Sequence, residues 1–343
     1  MAEQLCLPSA CRAGTLLDPM SPNVSPNVSS VACPHCGGAP RGTPWDLTDR
    51  LFRTTAKRFL VHRCGNCALR YLAPVPPFSE LAGYYPKTYW TGPSDRTEGK
   101  GLHGRLTEFY RRTMLFDHAR FVRHVASDQR ARGLTPHWLD IGCGDGSVLE
   151  TVGVRPCVGL DTSKDALRQV LARGIPAVNG WVTQAPLREG TFSIVSMFHV
   201  LEHVEDPVAF LSGAGKLVGP GGSLVVQVPN ARSIQAWTMG RKWAGYDVPR
   251  HLIHFTPRHL RETAERAGFQ VVRQTQLSVR DNPTTLVNSV FPRLYPLARA
   301  NQPSMLRDLT YLALTLLAIP PTFLGALCGL GATVMIEARR PSG

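Results

Sequence analysis

From residue 137 to residue 339 the chain alternates short apolar runs with longer mixed stretches. Runs at 137–141, 157–161, near 176–179, 192–198 and 223–228 are bounded by Gly, Pro and Asp. They are too short for buried helices and nearly free of polar alternation, which predicts strands covered on both faces. The turn G-P-G-G at 219–222 is expected to precede the fifth strand. Thr256-Pro257 predicts a helix start, with Thr256 as N-cap and Pro257 in the first turn, and Ala267-Gly268 its end. A sixth strand is expected at 269–275 and a last at 332–339. Strand-helix alternation of this kind predicts an α/β fold with a doubly wound sheet.

The flanks read differently. Residues 1–30 are rich in Ser, Pro and Asn and repeat S-P-N-V, so a disordered tail is expected. Leu102, Leu106, Phe109, Tyr110, Thr113 and Phe116 recur at helical spacing and predict an amphipathic helix to about 126, with Arg105, Arg111, Arg112, Arg120 and Arg123 on or near it. Between Leu309 and Ile336 there is no charged residue. Pro320-Pro321 should break a helix there, so two apolar arms, 309–319 and 322–330, are expected to form a hairpin insertion. The expected division is a tail at 1–30, a small unit at 31–75, a linker and helix at 76–133, a main domain at 134–282 plus 331–341, and the apolar insertion at 283–330.

The chemistry of the small unit comes from its cysteines. C-P-H-C at 33–36 and C-G-N-C at 64–67 present Cys33, Cys36, Cys64 and Cys67 as two knuckles. Four thiolates in that spacing suit structural zinc and leave no open coordination position; His35 and His62 are expected to be merely exposed. The first thirty residues lack an apolar h-region, so no signal peptide is expected and a reducing cytosol is. Net charge is +13, which favours an anionic partner such as nucleic acid, phospholipid or a phosphorylated substrate. Only six of the 38 basic residues are Lys, so a base-composition bias toward Arg explains part of the charge.

W-L-D-I-G-C-G-D-G at 138–146 changes the picture most. Its glycines let the backbone approach a ligand, and V-G-L-D, ending at Asp161, follows at the distance at which a carboxylate takes a ribose diol. A dinucleotide loop needs a third glycine where Ser147 stands, which excludes a nicotinamide oxidoreductase. Asp140, two residues before Gly142, repels pyrophosphate and suits a cation. D-I-G-C-G-D-G closely resembles motif I of class I S-adenosylmethionine-dependent methyltransferases. The resemblance implies a Rossmann-like sheet of seven strands closed by an antiparallel strand. It also implies S-adenosyl-L-methionine as cofactor, with Asp140, Gly142 and Gly144 at its methionine portion and Asp161 at its ribose.

Acceptor chemistry is sought at two segments. H-V-L-E-H-V-E-D-P at 199–207 resembles the segment after strand four of small-molecule methyltransferases, including the ubiquinone-biosynthesis O-methyltransferases. Some relatives with E-x-x-E-H there bind a divalent cation; His199 replaces the first Glu, leaving open whether His199, Glu202 and His203 do. Asp247, Arg250, His251 and Phe255 resemble a D-x-P-R-H-x-x-x-F segment of zinc-ribbon methyltransferases. A hydroxyl acceptor benefits from a base, and a histidine of ordinary pKa about 6.5 fits: His251 first, His199 second. The acceptor expected is oxygen of a small molecule, a glycan precursor or a lipid-linked intermediate. Peripheral contact of 309–330 with the inner membrane face and a homodimer are both open. The rival readings are an rRNA or tRNA methyltransferase and a non-catalytic zinc-ribbon scaffold that binds S-adenosylmethionine.

Overall fold

A computed structural model describes residues 31–86, 113–299 and 304–341. The expected tail, Tyr89, Trp90 and the first part of the amphipathic helix lie outside those residues. Strands β1 (Trp45–Thr48), β2 (Arg58–Arg63) and β3 (Arg70–Leu72) form an antiparallel sheet around the two cysteine knuckles. A single helical turn, Phe78–Leu81, follows.

Helix α1 (Phe116–Ala131) then leads into β4 (Trp138–Ile141), helix α2 (Ser147–Val152), β5 (Cys157–Asp161), helix α3 (Lys164–Ala172), β6 (Ala177–Asn179) and β7 (Phe192–Phe198). Helix α4 (Pro207–Leu217), β8 (Val218–Pro229), helix α5 (Ile234–Met239), β9 (Ile253–His254), helix α6 (Pro257–Arg266) and β10 (Gln270–Thr275) come next. Helices α7 (Asp281–Val290) and α8 (Met305–Leu327) precede the last strand, β11 (Thr333–Arg339).

The large sheet runs β10-β11-β8-β7-β4-β5-β6. Strands β4 to β8 are parallel, and β11 pairs antiparallel with both β8 and β10. This is the expected doubly wound order. Every residue of β4 and β5 is buried, and each large apolar side chain so removed from water contributes about 1.5–3 kcal/mol. The strand order reverses between β4 and β7. That switch point is where open α/β sheets take their ligands, and the glycine loop after β4 stands there.

Four expectations need correction. G-P-G-G does not precede β8; it lies within it, because a Cβ at Gly222 would stand 2.9 Å from the carbonyl oxygens of Gly219 and Ser193, and the two strands close only on glycine. The buried stripe of α1 is Ala119, Val122, Val125 and Ala126, while Phe116 is exposed; a turn at Leu115 resets the helical register. His35 is buried, not exposed: Nε2 lies 2.9 Å from Glu262 Oε2. The apolar arms are one continuous helix, α8, with Pro320 and Pro321 inside it. The prolines withhold N–H groups from the carbonyls of Leu316 and Leu317, which belong to exposed residues, so the loss falls on the helix surface and not in the core.

Strand β9 pairs with β3, His254 opposite Arg70 and Ile253 opposite Tyr71. The segment expected to bind acceptor therefore supplies the fourth strand of the cysteine-bearing sheet.

Candidate active site

The loop after β4 turns through Gly142, Gly144 and Gly146, all at positive φ. A Cβ on Gly142 would stand 2.4 Å from Val200 Cγ2, whereas one on Gly144 would meet nothing within 4 Å. The first glycine is required by packing; the second leaves open space beside bare backbone. Asp161, at the end of β5, accepts Gly144 N–H on Oδ2 at 2.9 Å and Ser163 N–H on Oδ1 at 2.8 Å. Asp140 is buried below the loop. Trp138 Nε1–H donates to Ser196 Oγ at 2.8 Å, and that hydroxyl donates to Asp140 Oδ1 at 2.5 Å. Burial pushes the Asp140 carboxyl up to about 7; the Ser196 bond opposes the rise and the Asp161 charge adds to it. Asn179, at the end of β6, donates to the carbonyls of Asp161 and Thr162 at 3.0 Å, while its buried Oδ1 has no partner.

The second cluster follows β7. His199 adopts positive φ and its N–H bonds Gln227 O at 2.9 Å. A short 3-10 turn, Leu201–His203, then leads to Asp206, which caps α4 by accepting Ala209 N–H at 2.9 Å, with Pro207 in the first turn. Glu202 is buried; its backbone carbonyl accepts Leu252 N–H at 2.8 Å, joining this loop to the 231–255 segment. His203 Nδ1 lies 2.9 Å from Arg250 O and 3.0 Å from the Tyr85 hydroxyl. His251 Nδ1 lies 2.9 Å from Gly245 O. A carbonyl only accepts, so both Nδ1 atoms carry a hydrogen, and in the neutral ring that tautomer leaves the lone pair on Nε2.

Glu202, His203 and His251 offer ligand atoms all within 4.8 Å of one another, and Glu202 Oε2 has no hydrogen-bond partner. His199 stands elsewhere, between Glu202 Oε1 at 3.2 Å and Asp281 Oδ2 at 3.5 Å. Burial disfavours its charge, but the two carboxylates outweigh burial and raise its pKa to about 10. The two carboxylates thus favour its imidazolium form.

Arg250 explains why this segment is rigid. Its side chain is fully buried and reaches Asp49 through Nη2 at 2.6 Å and Nη1 at 3.1 Å, and Asp247 through Nη2 at 2.6 Å and Nε at 3.0 Å. Nη1 also donates to Tyr84 O at 2.9 Å, and the guanidinium lies over the Phe52 ring at 4.4 Å.

Residues 110–274 match a family model described as a methyltransferase domain. Over 141 residues the chain is 30% identical to a Mycolicibacterium smegmatis protein named "Probable S-adenosylmethionine-dependent methyltransferase", covering 39% of this chain and 51% of that one. A ubiquinone biosynthesis O-methyltransferase of Chromobacterium violaceum is 28% identical over 170 residues, 44% of this chain and 71% of that one. Over 110–274 the chain is similar to S-adenosylmethionine-dependent methyltransferases. It spans about half the length of the first of these relatives. A solved SAM-dependent methyltransferase from Archaeoglobus fulgidus is 18% identical, with a TM-score of 0.40, covering 70% of this chain and all of that one.

The β4–β6 edge offers open space at Gly144, a carboxylate at Asp161 and an unpartnered buried acceptor at Asn179, a donor set compatible with S-adenosylmethionine. Asn179 escaped sequence reading because a single Asn after a three-residue strand carries no motif. The four cysteines fit zinc. Sγ atoms of Cys36 and Cys64 are 3.4 Å apart and those of Cys33 and Cys67 3.7 Å, near the about 3.8 Å spanned by two thiolates at 2.3 Å from a tetrahedral ion. Amides of Asn66 and Cys67 point at Cys64 Sγ at 3.4 and 3.5 Å. Asp49, Tyr85 and Asp281 were also missed; none belongs to a motif, and each meets the site only through the fold.

Proposed function

We propose that the protein transfers a methyl group from S-adenosylmethionine to an oxygen of a small-molecule, glycan-precursor or lipid-linked acceptor, with His251 as base. S-adenosylmethionine, when bound, supplies an electrophilic methyl group on a sulfonium. Asp140, Gly142 and Gly144 hold its methionine portion and Asp161 its ribose. The observation that supports the role of His251 is its orientation: Nδ1 lies 2.9 Å from Gly245 O, which leaves Nε2 turned toward Glu202 Oε1 at 3.9 Å. That nitrogen takes the hydroxyl proton as the carbon–oxygen bond forms and the carbon–sulfur bond breaks. In-line placement supplies much of the rate, and a general base about 10²–10⁴-fold.

Labelled methyl transfer into fractionated host extract tests the reading. Label is expected in the small-molecule or lipid pool; label confined to RNA overturns the acceptor class, and none in any pool overturns turnover itself. His251→Gln should lower kcat by about 10²-fold or more while donor binding persists. A second reading is favoured by the unpartnered Glu202 Oε2: a divalent cation held by Glu202, His203 and His251, a two-histidine, one-carboxylate set. In that case chelation abolishes turnover in the wild type.

A further inference from the structure

Helix α8 is polarised the wrong way round for a helix that meets water. Toward the body it turns Tyr311, Thr315, Ala318, Thr322 and Ala326. Tyr311 donates to Asn288 Oδ1 at 3.1 Å, and the hydroxyls of Thr315 and Thr322 fold back on the carbonyls of Tyr311 and Ala318 at 2.8 and 2.7 Å. The opposite face carries Leu306, Leu309, Leu316, Leu317, Leu324 and Leu327, with Leu317 73%, Leu324 63% and Leu327 65% exposed. Spacings of three, seven and eight put these leucines in one stripe along a helix about 35 Å long. A helix of a water-soluble body turns its leucines inward.

The stripe continues onto a second element. Ile234 of α5 packs on Gly325 and its N–H bonds Leu330 O at 3.1 Å; one turn on, Trp237 is 82% exposed. Past the end of α7, Phe291 is exposed and followed by exposed Arg293, and Arg307 is exposed at the start of α8. Arg50 donates to the carbonyls of Lys242 and Ser289, which brings Lys242 and its neighbour Arg241 to the end of α7. Exposed Trp237 thus follows the turn that packs on the C-terminal half of α8, and exposed Arg307 stands in its first turn, on a chain of net charge +13.

We infer that this face docks on an anionic phospholipid surface, with α8 lying in the plane of the interface. Leucines enter the acyl boundary, Trp237 sits at headgroup depth, and Arg241, Lys242, Arg293 and Arg307 meet phosphates. The helix does not cross the bilayer, because both of its ends return to one body. Asp308 pairs with Arg299 at 2.8 Å at its start, and β11 enters the sheet between β8 and β10 after its end. Charge complementarity favours lipid over a second copy of the chain, since a self-interface would face one cationic rim with another. The inference stands independently of the methyl-transfer reading.

The test is co-sedimentation of the full chain with phosphatidylcholine vesicles, with and without phosphatidylglycerol. The wild type is expected to pellet with the anionic vesicles, less so at high salt. Leu317→Glu/Leu324→Glu should bind about tenfold more weakly or worse, with unchanged circular dichroism and S-adenosylmethionine affinity. Wild-type protein that stays in the supernatant with both vesicle types overturns the inference. So does equal pelleting of wild type and variant, or a wild-type dimer that the variant dissociates without any vesicle binding.

Discussion

Asp140 stands at neutrality with its proton only half released. Burial is the largest cause, the Ser196 hydroxyl pulls the other way, and Asp161 adds repulsion; the balance places its pKa at about 7. A cationic ligand favours the ionised carboxylate, so binding should release the proton. Donor affinity is then expected to rise with pH below about 7, by up to tenfold per unit. It should fall again once the donor's own amino group deprotonates, near ~7.8 for an α-amino group. Calorimetry of S-adenosylmethionine binding from pH 5.5 to 8.5 checks this. Asp140→Asn should bind more weakly and lose the rising limb; a flat wild-type profile refutes the assignment. The placement of Asp140 and Asp161 beside the glycine loop was readable in sequence because Asp140 lies two residues before Gly142 and Asp161 ends the next apolar run. The state of His199 was not, since its two carboxylate partners lie three and 82 positions away.

At the scale of elements, the segment 247–255 is held by one buried guanidinium between two carboxylates. Asp49 comes from the loop after β1, so the ribbon grips the acceptor segment through a charge. Burial alone would raise the Asp49 pKa, but Arg250 outweighs it and holds the carboxyl below its ordinary value. A depressed folded pKa contributes stability that is present above the unfolded value and lost as pH falls through the folded one. Asp49→Ala is expected to cost roughly 3–5 kcal/mol in urea unfolding, the usual penalty for removing one partner of a buried pair. Asp49→Asn, which keeps the shape, should cost less. Both should raise the acceptor KM while donor affinity holds, because Arg250 O orients His203 and Asp247 adjoins His251. Strands β4 to β8 were legible because buried parallel strands read as short apolar runs. α8 was misread as two arms because the penalty of Pro320 and Pro321 depends on which face they occupy, and sequence alone does not say.

On the proposed function, the whole molecule puts donor and acceptor chemistry on separate supports. The donor edge belongs to β4, β5 and β6, at one end of the large sheet. The acceptor side is built jointly by the loop after β7, the 231–255 segment and the cysteine-bearing sheet. Strand β9 completes that sheet, His259 Nε2 lies 3.1 Å from Cys67 O, and His35 contacts Glu262 of α6. None of this coupling was visible in the sequence, where the ribbon reads as an appendage nearly two hundred residues from the segment it braces. It makes the zinc site testable through function. Purified protein should carry about one zinc, the count for a single four-thiolate site. Without metal, nothing ties the four cysteines together, and the knuckles should loosen along with β3, β9 and the N-terminal turn of α6. Stripping the metal with a chelator under reducing conditions is therefore expected to lower Tm and acceptor turnover while S-adenosylmethionine still binds in calorimetry. Cys33→Ser should do the same at a single position. Loss of donor binding together with turnover would show instead that the ribbon supports the entire sheet, and a folded, active, metal-free wild type would remove zinc from the protein altogether.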